Sequence, residues 1–326
     1  MIITELYDGQ GLGNQLWVYA VCRSIAEKLQ LPHKILSPDK FKGSSFLVID
    51  FGVEFNKEKT KSDLRDFHEH IFYDPQLDYF SSGFDSAVLN LKPYSKIHGL
   101  FQSEEYFFGD LTLPKKYINI KASHLEKEII PDDHCVINLR GGEYKRHKNL
   151  ILPKSYWLNA MRNIRNLCNI DKFIIVTDDQ RYAKALFPEL PVLQGGIAEC
   201  YVALYQARYL ILSNSSFSYF PLKTGIDKLF VIAPQYWARF GNKYSRWASV
   251  ANFYKGWMWQ DVNGSLRSHD DCQEEVIKTN EYYQNHYYLS TVSSAVMNRG
   301  IRGYFPTWLK KPIKKGLSLL FPKHIG

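Results

Sequence analysis

Residues Gly9-Gln10-Gly11-Leu12-Gly13-Asn14-Gln15 constrain this chain more than any other stretch. They follow an apolar run, Ile2-Ile3-Thr4-Glu5-Leu6, that reads as a first strand. They precede a segment with Val18, Cys22, Ile25 and Leu29 at spacings of four and three, which predicts an amphipathic helix. A strand, a glycine loop and a helix in that order turn backbone N–H groups outward toward a ligand. Asn14 and Gln15 add carboxamides at the helix mouth, each able to donate and accept. The same glycines also suit a plain strand-to-helix turn that needs φ > 0. A dinucleotide fingerprint is not met. The glycines sit at i, i+2 and i+4, and Asp39 comes too late to close the next strand candidate around His33 to Leu36.

The 326 residues are enough for two domains of ordinary size. Aromatic content is high, with 22 Tyr, 20 Phe and 7 Trp, which suits either stacking on sugars and bases or simple core filling. The five cysteines, Cys22, Cys135, Cys168, Cys200 and Cys272, are scattered and odd in number. With no CxxC and no Cys/His spacing, neither a zinc site nor a disulfide framework is expected, and a reducing compartment is. Met1 opens directly into a strand, so no signal peptide is expected, and no run of apolar residues is long enough to span a bilayer.

Strand-like and helix-like segments alternate along the chain. In the first part, Ser45 to Phe51 contains a buried-strand candidate and Glu54 to His70 reads as solvated. Lys96 to Phe101 reads as a strand, and Gln102 to Phe107 as the opening of a helix. A second alternation begins near Asp132. Its strands are Cys135–Leu139, Phe173–Val176, Tyr209–Leu212 and Leu229–Ala233, and its helices are Pro153–Asn166 and Glu199–Arg208. This pattern predicts parallel sheets covered by helices, in two Rossmann-like halves with a cleft between them. The expected divisions are residues 1–130, 131–280 and a tail, 281–326.

In open α/β sheets, ligands sit beyond the carboxyl ends of the strands. Arg140, Asp178 and the run Asn214 to Ser216 fall at three such ends. Arg140 can make a forked contact to phosphoryl oxygens, or pair with nearby Glu143. Ser215 and Ser216 precede an apolar segment from Phe217 to Leu222, and serine there either caps a helix or marks an anion-binding helix end. Asp178 and Asp179, adjacent on an extended chain, point to opposite faces and are a poor metal pair. A carboxylate at that strand end suits a ribose hydroxyl or a base N–H. With arginine and a helix end neutralising a diphosphate, no metal is required.

Four segments, in order, resemble glycosyltransferase family 11, the bacterial α-1,2-fucosyltransferases. Gly11-Leu12-Gly13-Asn14-Gln15-Leu16 is similar to the family's G-x-G-N-Q motif, and Leu100-Phe101-Gln102-Ser103-Glu104-Glu105-Tyr106-Phe107 to its Y-F-Q-S-x-x-Y-F segment. Asn138-Leu139-Arg140-Gly141-Gly142-Glu143-Tyr144 is similar to H-x-R-R-G-D-Y, and Asn214-Ser215-Ser216-Phe217-Ser218-Tyr219-Phe220 to N-S-T-F-S-W-W. With Thr177-Asp178-Asp179 they span about residues 1–225. This chain departs from the pattern at Asn138 (histidine in the family), Gly141 (arginine) and Glu143 (aspartate).

The resemblance implies an α/β protein of the GT-B class, an acceptor-binding first half and a second half that binds GDP-fucose. It implies inverting transfer to a saccharide hydroxyl without a metal or other cofactor, in the synthesis of surface polysaccharide such as O-antigen. Arg140 matches the donor-phosphate arginine, and Ser215 and Ser216 would share the diphosphate. Asn14 and Gln15 would face across the cleft. Gly13, Gln102, Ser103, Asp178, Asn214 and Phe217 would line the substrate site. Glu143 is the first choice of base and Asp8 the second.

The net charge is +8, but its placement is uneven. From Tyr282 onward there is no Asp or Glu, and seven Lys and Arg follow; without them 34 basic residues face 33 acidic ones. Between Tyr304 and Pro322, lysines interleave with Phe305, Trp308, Leu309, Ile313, Leu317, Leu319, Leu320 and Phe321. Such a segment suits an anionic membrane surface or a helix packed on the body. An enzyme so attached would lie at the inner face of the cytoplasmic membrane and act on a lipid-linked acceptor. The near-neutral body speaks against nucleic acid as a partner. A non-catalytic saccharide-binding protein and a transferase for another nucleotide sugar are the remaining alternatives.

Overall fold

The computed structural model describes residues 1–55, 64–126 and 129–286. The first half holds β1 (Ile2–Glu5), α1 (Leu12–Lys28), β2 (His33–Leu36), β3 (Leu47–Val48), β4 (Arg65–His68), β5 (Ile71–Asp74), β6 (Tyr79–Ser82), β7 (Ser95–His98), α2 (Leu113–Tyr117) and β8 (Asn119–Ile120). The second holds β9 (His134–Leu139), α3 (Lys154–Cys168), β10 (Lys172–Thr177), α4 (Gln180–Leu186), α5 (Ile197–Gln206) and β11 (Tyr209–Leu212). It continues through α6 (Tyr219–Thr224), β12 (Phe230–Pro234), β13 (Met258–Gln260), β14 (Leu266–Arg267) and α7 (His269–Asn285).

The strands form two main sheets. The first runs β2-β1-β7-β4 and is parallel throughout. The second runs β10-β9-β11-β12-β13-β14, parallel except at the β13–β14 pair. In each sheet the first strand has its successor on one side and a later strand on the other. The order therefore reverses between β1 and β7 and again between β9 and β11. These are the two places where a crevice opens beyond the strand ends. This is the expected α/β layout, with two Rossmann-like sheets facing a cleft.

The local chemistry follows the sequence in the second half. α3 buries Tyr156, Trp157, Ala160, Met161 and Ile164, one apolar stripe at helical spacing, and stops at Asn169 with φ of +56°. The first half departs from the expected alternation. Past α1 it is built from short strands, the β5–β6 hairpin and 3₁₀ turns. The helix expected from Gln102 is a single 3₁₀ turn at Glu104–Phe107, because Phe101 and Phe108 take left-handed backbone on either side of it. Glu54 to His70 includes a strand, β4, and β13 and β14 lie beyond the last strand read from sequence.

α1 is not amphipathic. Leu12, Leu16, Trp17, Val18, Tyr19, Ala20, Val21, Cys22 and Ile25 are all buried, which covers every side of the helix. One face lies on the first sheet and the other meets the second half. Trp17 stacks near Phe107 at 5.7 Å, Tyr219 at 4.2 Å, Phe220 at 5.1 Å and Tyr254 at 5.9 Å between ring centroids. Most aromatics serve such cores; Trp17, Trp157, Trp247 and Trp259 are fully buried.

The two halves approach each other closely at Gly13. A β-carbon there would stand 2.5 Å from the carbonyl carbon of Ser216 and 2.6 Å from the amide nitrogen of Phe217. Backbone cannot rotate away as a side chain can. Alanine at this position would favour the helix by about 1 kcal/mol over glycine. Forced overpacking costs about 1–3 kcal/mol and here meets main chain. Gly13→Ala is therefore expected to lower stability, read as a lower urea midpoint; a midpoint at or above that of the parent chain would contradict the contact.

Candidate functional site

Both strand-order reversals open into one cleft of about 910 Å³, within the range of ligand sites. From the first half it receives Tyr7 to Asn14 beyond β1 and Gly99, Leu100 and Gln102 beyond β7. From the second it receives Asn138, Leu139 and Arg140 at the end of β9, Val176 to Asp178 at the end of β10, and Asn214 to Phe217 beyond β11. The β5–β6 hairpin adds Asp78, Tyr79 and Phe80.

Arg140 extends from the buried strand β9, with its side chain about one-third exposed. Its Nη1 lies 3.0 Å from Asp178 Oδ2. The alternative partner considered from sequence, Glu143, is not the one it uses. Asp178 Oδ1 also accepts from the Gly141 amide at 2.9 Å. Asp178 thus steers the guanidinium from the end of the next strand, while Arg140 Nε is buried with no hydrogen-bond partner among the described residues. Four further N–H groups sit on that guanidinium, so a phosphoryl group can still be met by a fork.

Gly141 stands where the resembled family has arginine. A β-carbon there would meet Tyr182 at 2.7 Å and Asp179 at 2.8 Å, so no side chain fits. Asp179 itself caps α4 through the Tyr182 amide at 3.0 Å and pairs with Lys145, which holds its carboxyl below the usual range. Asp178 and Asp179 do point to different tasks.

Glu143 is exposed, lines the cleft and has no hydrogen bond or ion pair among the described residues. Asp8 also lines the cleft, but Lys40 Nζ holds it at 3.2 Å. Sequence reasoning missed a third carboxylate, Asp78, which accepts from the Tyr73 hydroxyl at 2.7 Å. It also missed Lys42 and Arg239, two cations on the wall. Arg239 donates to the carbonyls of Leu77 at 2.7 Å and Asp78 at 2.6 Å, tying the hairpin to the second half. No short motif marks these residues; they arrive from separate loops.

Asn14 faces the cleft, and its Oδ1 accepts from Gln102 Nε2 at 2.9 Å and Ser216 Oγ at 2.6 Å. Gln15 does not face it. It is fully buried, donates to the Lys40 carbonyl at 2.8 Å and accepts from the Lys42 amide at 2.9 Å, so it shapes the loop that carries Lys42. The reason is helical geometry: neighbours on α1 diverge by about 100°, and only one can point at the cleft.

Ser103 is buried as well, capping the 3₁₀ turn by accepting from the Glu105 amide at 3.3 Å. Ser215 caps another 3₁₀ turn, Ser216–Ser218. The helix end expected beyond it is α6, only six residues long, so its dipole is small and the local N–H groups matter more. Asn214 is buried and ties the loop after β11 to the segment ahead of α3, donating to the Leu150 carbonyl at 3.2 Å. Phe217 lines the wall with Tyr7, Tyr79, Tyr144 and Trp237.

The floor of the first half rests on Glu69. Its Oε2 accepts from the Leu100 amide at 2.7 Å and the Phe101 amide at 2.9 Å, and Oε1 pairs with Tyr106 Oη at 3.1 Å. Burial raises this carboxyl from 4.5 to about 7. A protonated Glu69 can donate to Tyr106, whose own hydroxyl reaches the Gly83 carbonyl at 3.3 Å.

No protein-family model matches the chain, and no curated protein matches it in sequence. Among solved structures it is similar to the NodZ α-1,6-fucosyltransferase from Bradyrhizobium soaked with GDP-fucose, at 13% identity and a TM-score of 0.41, covering 69% of this chain and 92% of that one. It is similar to Arabidopsis thaliana FUT1 in complex with GDP, at 10% identity and 0.45, covering 71% and 70%. E. coli heptosyltransferase WaaC with ADP gives 9% identity and 0.43, covering 86% and 100%.

The Glu69 pairing has a signed pH consequence. The folded carboxyl keeps its proton to about 7, whereas the unfolded one loses it near 4.5. Its contribution is full below that lower value and falls as pH rises through the window, by about 3 kcal/mol in all. Glu69→Gln mimics the protonated form and should lose this slope. Denaturation of both proteins at pH 5 and pH 8 checks it; parallel curves would contradict the assignment.

Proposed function

We propose that the chain is a glycosyltransferase that takes its donor as a nucleoside diphosphate sugar in this cleft. The observation that carries the reading is the meeting of two strand-order reversals on one crevice, with Arg140 fixed at the end of β9. Arg140 takes the diphosphate, aided by the Ser215–Phe217 turn, and Asp178 holds the guanidinium in place or accepts from ribose. The four ordered segments that resemble motifs of the fucosyltransferase family support GDP-fucose as the donor and an α-1,2 linkage as the product.

In the reaction so read, an acceptor hydroxyl oxygen attacks the anomeric carbon from the face opposite the leaving group. The bond from that carbon to the phosphate oxygen breaks, GDP leaves, and the hydroxyl proton passes to Glu143. Configuration inverts. Glu143 suits the role because no cation among the described residues pins its carboxylate. Charge on the leaving diphosphate is met by Arg140 and main-chain N–H groups, so a metal is not required for the step.

Thermal-shift titration against GDP, UDP, dTDP, CMP and ADP tests the donor class. At a hundredfold excess over Kd, the matching nucleotide should raise Tm by about 4 °C. Arg140→Lys keeps the charge but not the fork and should lower turnover of the matching sugar nucleotide about 100-fold or more with the fold intact. No shift with any nucleotide would overturn the reading.

The basic aromatic segment expected to meet a membrane lies outside the described residues. Among the described residues no helix is long and apolar enough to cross a membrane. We propose, from composition, that this segment rests on an anionic surface at the cytoplasmic face and brings the enzyme to a lipid-linked saccharide. Deleting Tyr304 to Gly326 should abolish co-sedimentation with anionic vesicles; retained binding would refute this.

A further inference from the structure

A run of buried carboxamides links the two halves beneath the cleft, and a main-chain carbonyl sets its direction. The Gln102 carbonyl can only accept, and Tyr254 Oη donates to it at 3.2 Å. The Tyr254 oxygen is then left to accept, and it does so from Asn252 Nδ2 at 2.5 Å. The same Nδ2 donates to Gln102 Oε1 at 2.8 Å, while Asn252 Oδ1 accepts from Ser249 Oγ at 2.5 Å. Gln102, with its oxygen so engaged, turns Nε2 toward Asn14 Oδ1 at 2.9 Å, where Ser216 Oγ also donates at 2.6 Å. Ser249, Asn252, Tyr254 and Gln102 are each less than nine per cent exposed. Reversing the chain would strip the buried Gln102 carbonyl of its donor, the costlier arrangement.

We infer that Asn14 presents only N–H to the cleft, so the ligand atom it meets is an acceptor, and that Asn252 is the positioning residue that holds this polarity. Asn14 Oδ1 already accepts twice from protein, and Nδ2 has no hydrogen-bond partner among the described residues. Asn252 lies outside the cleft lining and acts through Gln102. The naming of that acceptor as a phosphoryl or sugar oxygen rests on the proposed function; the polarity does not. A carboxamide turned the other way would set an oxygen against such an atom and repel it. The relay spans residues 14, 102, 216 and 252, so it also ties donor orientation to the seating of one half on the other.

Two measurements on the full chain test this. In the ligand-free protein, side-chain amide exchange by NMR should be fast at Asn14 and slow at Gln102 and Asn252; a protected Asn14 amide would overturn the assigned polarity. Asn252→Asp removes both donors and lets Gln102 and Asn14 turn over. It should weaken binding of GDP and of inorganic diphosphate about tenfold. On an Asn14→Ala background the same change should alter affinity by no more than roughly twofold, because the transmitting group is gone. Equal losses on both backgrounds would mean that Asn252 is merely structural and would overturn the relay. Asn252→Ala, which buries no carboxylate, serves in the same cycle if the aspartate variant does not fold. A parent chain that bound neither probe would defeat the proposed function, and the exchange pattern would still decide the polarity.

Discussion

The contact of Gly13 with the main chain of Ser216 and Phe217 is the constraint on which the rest depends. It sets the first turn of α1 against the loop that follows β11, closer than any residue with a β-carbon allows. That approach brings the carboxyl ends of two separate sheets to one place. Trp17, one turn further along α1, secures it with an aromatic cluster drawn from Phe107, Tyr219, Phe220 and Tyr254. The two halves share a continuous apolar core across this seam. The cleft is consequently a product of packing between the two halves.

The electrostatics of the cleft follow from what each strand end has beside it. Arg140 is paired, so its charge is partly offset, but the pair also fixes where its remaining N–H groups point. Asp178 comes from the neighbouring parallel strand, in register with β9, and so cannot drift from its partner. The resembled family has arginine at the position of Gly141; here Tyr182 and Asp179 occupy that space. Lys42 and Arg239 supply positive charge from other walls. The site therefore distributes its cations around the crevice instead of stacking two of them on one turn.

Much of the fold was legible. β1, β9, α3, β10, α5 and β11 could be read from apolar runs and spacing, since each is a continuous stretch whose pattern reveals it; α1 was legible as a helix but not as one buried on all sides. Arg140, Asp178 and Asn14 could be read as cleft residues because strand ends in parallel sheets face ligands. Gln15 and Ser103 could not be separated from their neighbours in this way. Each is adjacent to a residue that does face the cleft, and only the rotation of its backbone decides which side it takes. Asp78, Lys42, Arg239 and Asn252 carry no local signature at all. They reach the site or its support through loops whose paths depend on distant partners, as when Arg239 grips the carbonyls of Leu77 and Asp78.

By itself, the order of residues determined that two parallel α/β units would form and which strand ends would carry polar groups. Periodicity and turn chemistry are local, and they survive in the sequence as pattern. Tertiary structure decided which of those polar groups meet. It buried α1 on all sides, gave Arg140 to Asp178, turned Gln15 inward and aimed the Asn14 amide outward through Gln102, Asn252 and Tyr254. Those outcomes depend on contacts between residues up to 202 positions apart, as with Asn14 and Ser216. No window of sequence contains both partners of such a contact, so only the folded chain can settle it.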